Sequence, residues 1–290
     1  MSLQFALQAP GLWVARCRGY AMNTGIVQDG PHAVLIDPAL LPDEVGDIAR
    51  FCTGRGLQVE SLIITHHHWD HVLGAGHFPE ARVVAHQSYL AESALELAHT
   101  RTATARYLES EGFPAGPLFE PPVPDVTVDR SLDLPVGRRT LRLVHTPGHA
   151  RDHLSVEGPG GAWLWAGDLL SDLEIPFVSD RLAAYEETLA SLAAMDISLL
   201  VPGHGALTAD PAEIAARLRE DRAYLAELRR RVAPVVAVRG TVQDAAAACA
   251  GMVFRRREAN AEAHAMNVEQ AFCELGGFPS SPSLGWAREL

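Results

Sequence analysis

Histidine and aspartate crowd a few short stretches of this chain at spacings that suit divalent-metal hydrolysis. The densest is Thr65-His66-His67-His68-Trp69-Asp70-His71; His145-Thr146-Pro147-Gly148-His149, Gly167-Asp168 and Pro202-Gly203-His204-Gly205 follow. Leu35-Ile36-Asp37 adds a carboxylate that reads as a brace for the loops around it, not as a ligand. Imidazole and carboxylate donors without thiolate favour zinc, and iron or manganese could fill the same ligands.

The spacing divides the donors. Alternate residues of an extended loop can point the same way, so His66 and His68 can grip one ion, while Asp70 and His71 follow at a turn and can face a second. A catalytic zinc needs about three protein ligands and an open position. His149 supplies the third for the first ion, and His204 completes a set with Asp70 and His71. Asp168 is then the natural bridge, and Asp70 and Asp168 become the carboxylates closest to the chemistry. Two ions roughly 3.5–4 Å apart would share a hydroxide and polarise a carbonyl or phosphoryl oxygen.

Elements to hold such a cage are written on either side of it. Apolar, β-prone runs recur at 33–36, 62–64, 82–84, 141–144, 163–165 and 199–201, and four of them end just before a motif. Between them lie helical patterns: Val45, Ile48 and Cys52 share a face after Pro42, and Leu182, Tyr185, Leu189 and Leu192 do so after a cap at Asp180. Alternation of strands and helices indicates a mixed α/β fold whose strand-end loops converge on one site. A polar helical stretch covers about 87–111, and a proline-rich excursion at 114–124 could lie beside the site as a flap. Asp210-Pro211 opens a long helix that buries Ile214, Leu218, Leu225 and Leu228 and stops before Pro234. Helical patterns follow at 242–249 and 261–275, and a Gly-Gly-Phe-Pro tail with Trp286 could close a small hairpin. The domain reading is therefore 1–210 for the metal-binding domain and 211–290 for a helical C-terminal region.

Composition limits the partners. The 290 residues, 48% of them hydrophobic, suffice for one full core and a small appendage, and no run is long enough to span a bilayer. Cys17, Cys52, Cys249 and Cys273 are widely spaced, which reads as reduced thiols in a cytoplasmic protein. A net charge of -12 works against a long nucleic-acid footprint. All the basic residues are arginine, so no lysine base, Schiff base or anion clamp is available.

The motif order resembles that of the metallo-β-lactamase superfamily: H-x-H-x-D-H, a later His, an Asp and a final His. That resemblance spans about 12–206 and implies an α/β, four-layer αβ/βα sandwich, here with a small, mostly helical C-terminal appendage. Thr65-His66-His67-His68-Trp69-Asp70-His71 is similar to the glyoxalase II form of the first motif. Thr146-Pro147-Gly148-His149 with His153 is similar to thioesterases and to the lactamase-like endoribonuclease branch, whose winged-helix-like appendage the C-terminal arrangement also resembles. The chain departs from glyoxalase II in lacking lysine for glutathione and in ending its last motif Gly203-His204-Gly205 where that family commonly has Gly-His-Glu-Tyr.

Neighbouring residues take plainer roles. His67 and Trp69 alternate with the ligands and read as packing or support, and His145 as strand-end structure. His153 reads first as a satisfied core histidine and otherwise as a supporting or substrate group, and Phe177, in the apolar stretch 173–177 after Asp168, as a substrate wall. Arg229-Arg230-Arg231 and Arg255-Arg256-Arg257 read as solvated faces before they read as phosphate contacts. Exported β-lactamase action would need a signal peptide, which the N-terminus lacks. The oxygen-reducing diiron branch has Glu where His68 stands, and a one-iron persulfide dioxygenase would use His66, His149 and Asp168. The leading expectation is a hydrolase that cleaves a small-molecule thioester or ester with a hydroxide bridging two zinc ions. Endoribonuclease action on single-stranded RNA is the alternative, and a non-catalytic metal-binding scaffold acting through partners is the third. No membrane partner is expected, and exposed apolar residues on the helical tail would allow a homodimer.

Overall fold

The computed structural model describes residues 2–114 and 118–278. Two compact units emerge. Of the described residues, the first holds those within 1–146, 152–167 and 196–210, and the second those within 147–151, 168–195 and 211–278.

Both sheets belong to the first unit. Strands β1 (Ala6–Ala9), β2 (Leu12–Arg16), β3 (Asn23–Asp29), β4 (His32–Ile36), β5 (Gln58–Ile63), β6 (Arg82–His86) and β7 (Val126–Val128) form one sheet in chain order. The other sheet runs β12 (Leu200–Pro202), β11 (Leu164–Gly167), β10 (Leu154–Glu157), β9 (Arg139–His145), β8 (Ser131–Val136). Strands β4 to β7 are mutually parallel, as are β11 and β12, and the rest pair antiparallel.

The period-two alternation of the strands explains the packing. Val34 and Ile36 of β4, Ile63 of β5 and Val84 of β6 join Leu141, Leu143, Val156, Trp165 and Val201 in the core between the sheets. Ala33, Leu35 and Leu62 point the other way, against Val45, Ile48 and Cys52 of α1 (Pro42–Gly54). Sheet strands covered on both faces must read as unbroken apolar runs, which is why β4 does over Ala33–Ile36 and β5 does at its buried end, Leu62-Ile63. Pro42 opens α1, and Glu44 in its first turn is fully buried because its carboxylate accepts from Arg18 N (2.7 Å) and Leu41 N (3.4 Å). The single turn α2 (Trp69–Val72) and the long α3 (Tyr89–Ser110) complete this unit.

The second unit is helical: α4 (Leu182–Leu192), α5 (Pro211–Ala237), α6 (Val242–Cys249) and α7 (Ala261–Glu274). Two expectations need correction. Helix α5 does not stop before Pro234 but runs one turn past it. A proline there forfeits a single hydrogen bond in a last turn, and Gly240 N–H then closes on Val235 O at 2.9 Å. Nor does Asp180 cap α4: the carboxylate of Glu274, from α7, accepts from Leu182 N and Ala183 N instead. Among the described residues no strand follows β12 and no helix is long and apolar enough to cross a membrane. The hairpin expected around Trp286 and part of the 114–124 excursion lie outside the described residues.

Candidate metal centre

In the first unit the parallel strands β4 and β5 end side by side, which brings Asp37 against the motif that follows β5. Asp37 N–H donates to Ile63 O (3.0 Å), and the Asp37 backbone sits at a left-handed φ of 44°. Its carboxylate is fully buried and accepts from Thr65 N (2.9 Å), Thr65 Oγ1 (2.8 Å) and His71 Nδ1 (3.0 Å). These bonds assign protons. The only hydroxyl proton of Thr65 goes to Asp37, so at 3.1 Å from His66 Nδ1 the same oxygen accepts, and His66 carries its proton on Nδ1. His66 Nε2 then presents a lone pair beside His68 Nδ1, 3.0 Å away.

The loop carrying His204 is fastened by the β2–β3 hairpin. Asn23 Nδ2 donates to Pro202 O (2.8 Å) and Gly205 O (3.0 Å), and Arg16 reaches Gly205 O (2.7 Å). Tyr20 and Ala21, both at left-handed φ (56° and 50°), turn the chain so that Tyr20 O accepts from His204 Nδ1 at 2.9 Å. A carbonyl can only accept, so the His204 proton is on Nδ1 as well.

Three acceptor atoms consequently converge. His71 Nε2 and His204 Nε2 are 3.2 Å apart, and Asp70 Oδ2 lies 3.2 Å from His204 Nε2 and 3.8 Å from His71 Nε2. All these ligand atoms fall within 4.8 Å of one another. Lone pairs at such distances repel unless a cation stands among them. Tetrahedral ligands on zinc, with bonds of about 2.0–2.2 Å, stand about 3.3–3.6 Å apart, so the donor set fits a divalent ion.

His67, His68 and Glu96 also lie close enough to bind an ion, but a different bond is made there. His67 Nδ1 is 2.7 Å from Asp152 Oδ1 and its Nε2 3.3 Å from Glu96 Oε2. Burial would lower the pKa of His67; the two carboxylates outweigh it and hold the ring protonated, with a pKa of about 10. A cation already occupies that position, and it ties the motif loop to Asp152 and α3. Trp69 turns to the side, meeting Tyr20 and Tyr107 edge-on at 5.4 Å each. His145 stacks on His86 at 4.0 Å. His153 is fully buried, bonded through Nδ1 to Thr146 Oγ1 (2.8 Å). It lies beneath Gly167, where φ is +58° and an added Cβ would come 2.3 Å from His153 Nε2, so only glycine fits.

The second unit holds a pair of its own. His149 Nδ1–H donates to Phe177 O (3.0 Å), which leaves Nε2 facing Asp168 Oδ2 at 3.4 Å, again acceptor against acceptor. Gly148 precedes it at φ +125°, and a Cβ there would come 2.3 Å from Tyr185 Cα. Asp168 O accepts from Tyr185 Oη (3.3 Å). The half-buried Phe177 ring lies 5.8 Å from the His149 ring.

The profile of the metallo-beta-lactamase superfamily matches residues 18–204. The chain belongs to this superfamily. Its fold is similar to that of a metallo-beta-lactamase family protein of Thermus thermophilus. The two are 23% identical with a TM-score of 0.66, over 90% of this chain and 93% of that one. An atrochrysone carboxyl ACP thioesterase of Aspergillus chevalieri is 26% identical over 217 residues, 71% of this chain and 60% of the relative. A hydroxyacylglutathione hydrolase of Francisella tularensis subsp. novicida is 28% identical over 149 residues, 50% of this chain and 46% of the relative. The chain thus spans about three-fifths or less of these curated relatives. Tyr20, Asn23, Asp152 and Asn267 shape the surroundings of the metallo-beta-lactamase motifs yet carry no sequence signal, since each acts on a partner far away in the chain.

Proposed function

We propose that this protein is a metal-dependent hydrolase of a small-molecule thioester or ester. His66, His68 and His149 would hold one divalent ion, Asp70, His71 and His204 a second, with Asp168 shared between them. Two zinc ions are the first choice. The observation that carries the reading is the convergence of His71 Nε2, His204 Nε2 and Asp70 Oδ2 at 3.2–3.8 Å, with the ring protons already committed to Asp37 and Tyr20 O.

When bound, the ions would supply Lewis-acid activation of water and of a carbonyl. The chain's own residues fix the ligands. Asp37 holds His71 and, through Thr65, His66 in the tautomer that offers Nε2, and the carbonyls of Tyr20 and Phe177 do so for His204 and His149. The Tyr20, Trp69 and Tyr107 rings form an aromatic wall beside Asp70, with Tyr20 56% exposed and able to meet an incoming acyl group.

The thioester class is supported by relatives named as a thioesterase and as a hydroxyacylglutathione hydrolase. RNA is disfavoured by charge and by how the arginine runs are used. Arg229 pairs with Glu186, Arg230 and Arg231 with Glu227, and Arg255 with Asp221, all within the helical unit. Four free thiols accord with a reducing, cytoplasmic setting. The test is thiol release from a panel of glutathione and coenzyme A thioesters by zinc-loaded protein, with a chelator control. Chelator-sensitive release is expected, with weak preference for glutathione. Protein that holds metal but releases no thiol would sink the thioester reading and turn attention to single-stranded RNA.

A further inference from the structure

The C-terminal helices grip one irregular segment. Residues 170–181 of the second unit form no helix or strand, and Leu170 sits at a left-handed φ of 61°. Their backbone is instead held by side chains from later in the chain: Arg217 Nη1 donates to Leu170 O (3.1 Å) and Asn260 Nδ2 to Leu173 O (3.0 Å). The tightest grip surrounds Phe177. Asn267, fully buried on α7, accepts from Val178 N–H through Oδ1 (2.7 Å) and donates from Nδ2 to Pro176 O (2.6 Å). Its second Nδ2 proton goes to Tyr224 Oη (2.9 Å), whose own proton then goes to His264 Nδ1 (2.9 Å). The amide cannot flip, because each end meets a group that accepts only or donates only. Between the two gripped residues lies the Phe177 carbonyl that fixes the His149 tautomer.

We infer that Asn267 is a positioning residue: it holds the Phe177 carbonyl on His149 Nδ1, and through that bond it sets how His149 Nε2 is offered to metal. The inference rests on the proposed role of His149 as a ligand. On this account the helical tail orients a proposed metal ligand of its own unit.

The experiment compares Asn267→Ala and Glu274→Ala with the full wild-type chain. Glu274 also joins α7 to the same stretch of chain, but at the start of α4, away from Phe177. Three quantities are read: zinc affinity by competition with a chromophoric chelator, exchange of the Val178 amide in metal-free protein, and the His149 tautomer from ring-nitrogen NMR shifts. Asn267→Ala should weaken zinc binding by about tenfold, the low end for groups that orient a ligand. It should also speed Val178 exchange and mix the His149 tautomers. Glu274→Ala should lose thermal stability while keeping wild-type zinc affinity and a pure Nδ1–H tautomer. A folded Asn267→Ala protein with unchanged zinc affinity and tautomer overturns the inference, as does equal loss in both variants. If Asn267→Ala does not fold, Tyr224→Phe serves: it frees one side of the amide, and a smaller loss of zinc affinity with partial tautomer mixing is expected. Wild-type behaviour of Tyr224→Phe in both readouts would then overturn it. Failure of wild type to take up zinc would count against the metal reading alone, since the metal-free tautomer and exchange still decide the role of Asn267.

Discussion

Asp37→Asn should disarm the metal centre without touching a proposed ligand. The carboxylate accepts from three donors, Thr65 N, Thr65 Oγ1 and His71 Nδ1. An amide of the same shape can accept at only one of its two ends. With its oxygen towards Thr65 N, its NH2 faces His71 Nδ1 and forces the proton onto Nε2, the atom that meets Asp70 and His204. The same NH2 donates to Thr65 Oγ1, whose proton is then released towards His66 Nδ1, so the second ring is driven to the wrong tautomer too. With the amide reversed, its NH2 opposes Thr65 N–H, and a buried donor is left unsatisfied. One lost hydrogen bond to a charged group is worth about 1.5–3 kcal/mol, or roughly a 10- to 150-fold change in affinity. The substitution should therefore weaken zinc binding by about 10- to 100-fold, the range typical of groups behind a metal ligand. Competition against a chromophoric chelator measures this, and circular dichroism checks that the fold persists. A folded Asp37→Asn protein that binds zinc as tightly as wild type would refute the proton assignment from which the site was argued.

Other consequences are simpler to state. Asp168→Ala should cut bound zinc below two per chain and abolish thiol release; a fully active variant would remove the shared-carboxylate assignment. Phe177→Ala leaves the backbone carbonyl that serves His149, so kcat/KM for bulky apolar thioesters should fall about tenfold relative to acetyl thioesters. An unchanged substrate profile would exclude Phe177 from the substrate wall. His86 provides a pH test at a group that is not a proposed metal ligand. Burial, then the neighbouring His145, lowers its pKa from 6.5 to about 4, and Ser88 N–H donating to Nδ1 holds the ring neutral. A depressed folded pKa means that stability is present above pH 6.5 and lost as pH falls through 4. The loss is roughly 1–3 kcal/mol, and His86→Gln should flatten the melting-temperature profile over that window. An identical pH profile in the variant would show that another group governs it.

What the sequence reveals and what it hides follow from distance along the chain. His66, His68, Asp70 and His71 announce themselves because their spacing is local, and Asp37 stands out because it ends a buried strand. The apolar runs of β4, β6, β11 and β12 and the end of β5 are legible for the same reason, since strands covered on both faces need unbroken hydrophobicity, whereas β9 shows itself by alternation, with Leu141 and Leu143 buried and Arg142 exposed between them. Strands β1 to β3 alternate weakly and show less. The unread contacts are long-range: Tyr20 O to His204 spans 184 residues, Asn23 to Pro202 spans 179, and Asn267 to Pro176 spans 91. A buried Asn in a helix carries no local mark of the backbone it will hold. Asp180 looked like the cap of α4 because capping is expected nearby, whereas the carboxylate that meets those N–H groups is Glu274, 92 residues from Leu182. Pro234 looked like a stop because local rules do not say that a helix can spend its final turn past a proline.

The most direct test is the zinc content of the wild-type chain after dialysis, measured together with thiol release from the same sample. Two zinc ions per chain, with thioester cleavage that disappears when a chelator removes them, is the predicted result. A chain that holds fewer than two ions at saturation, or that cleaves thioesters equally well without them, would contradict the account.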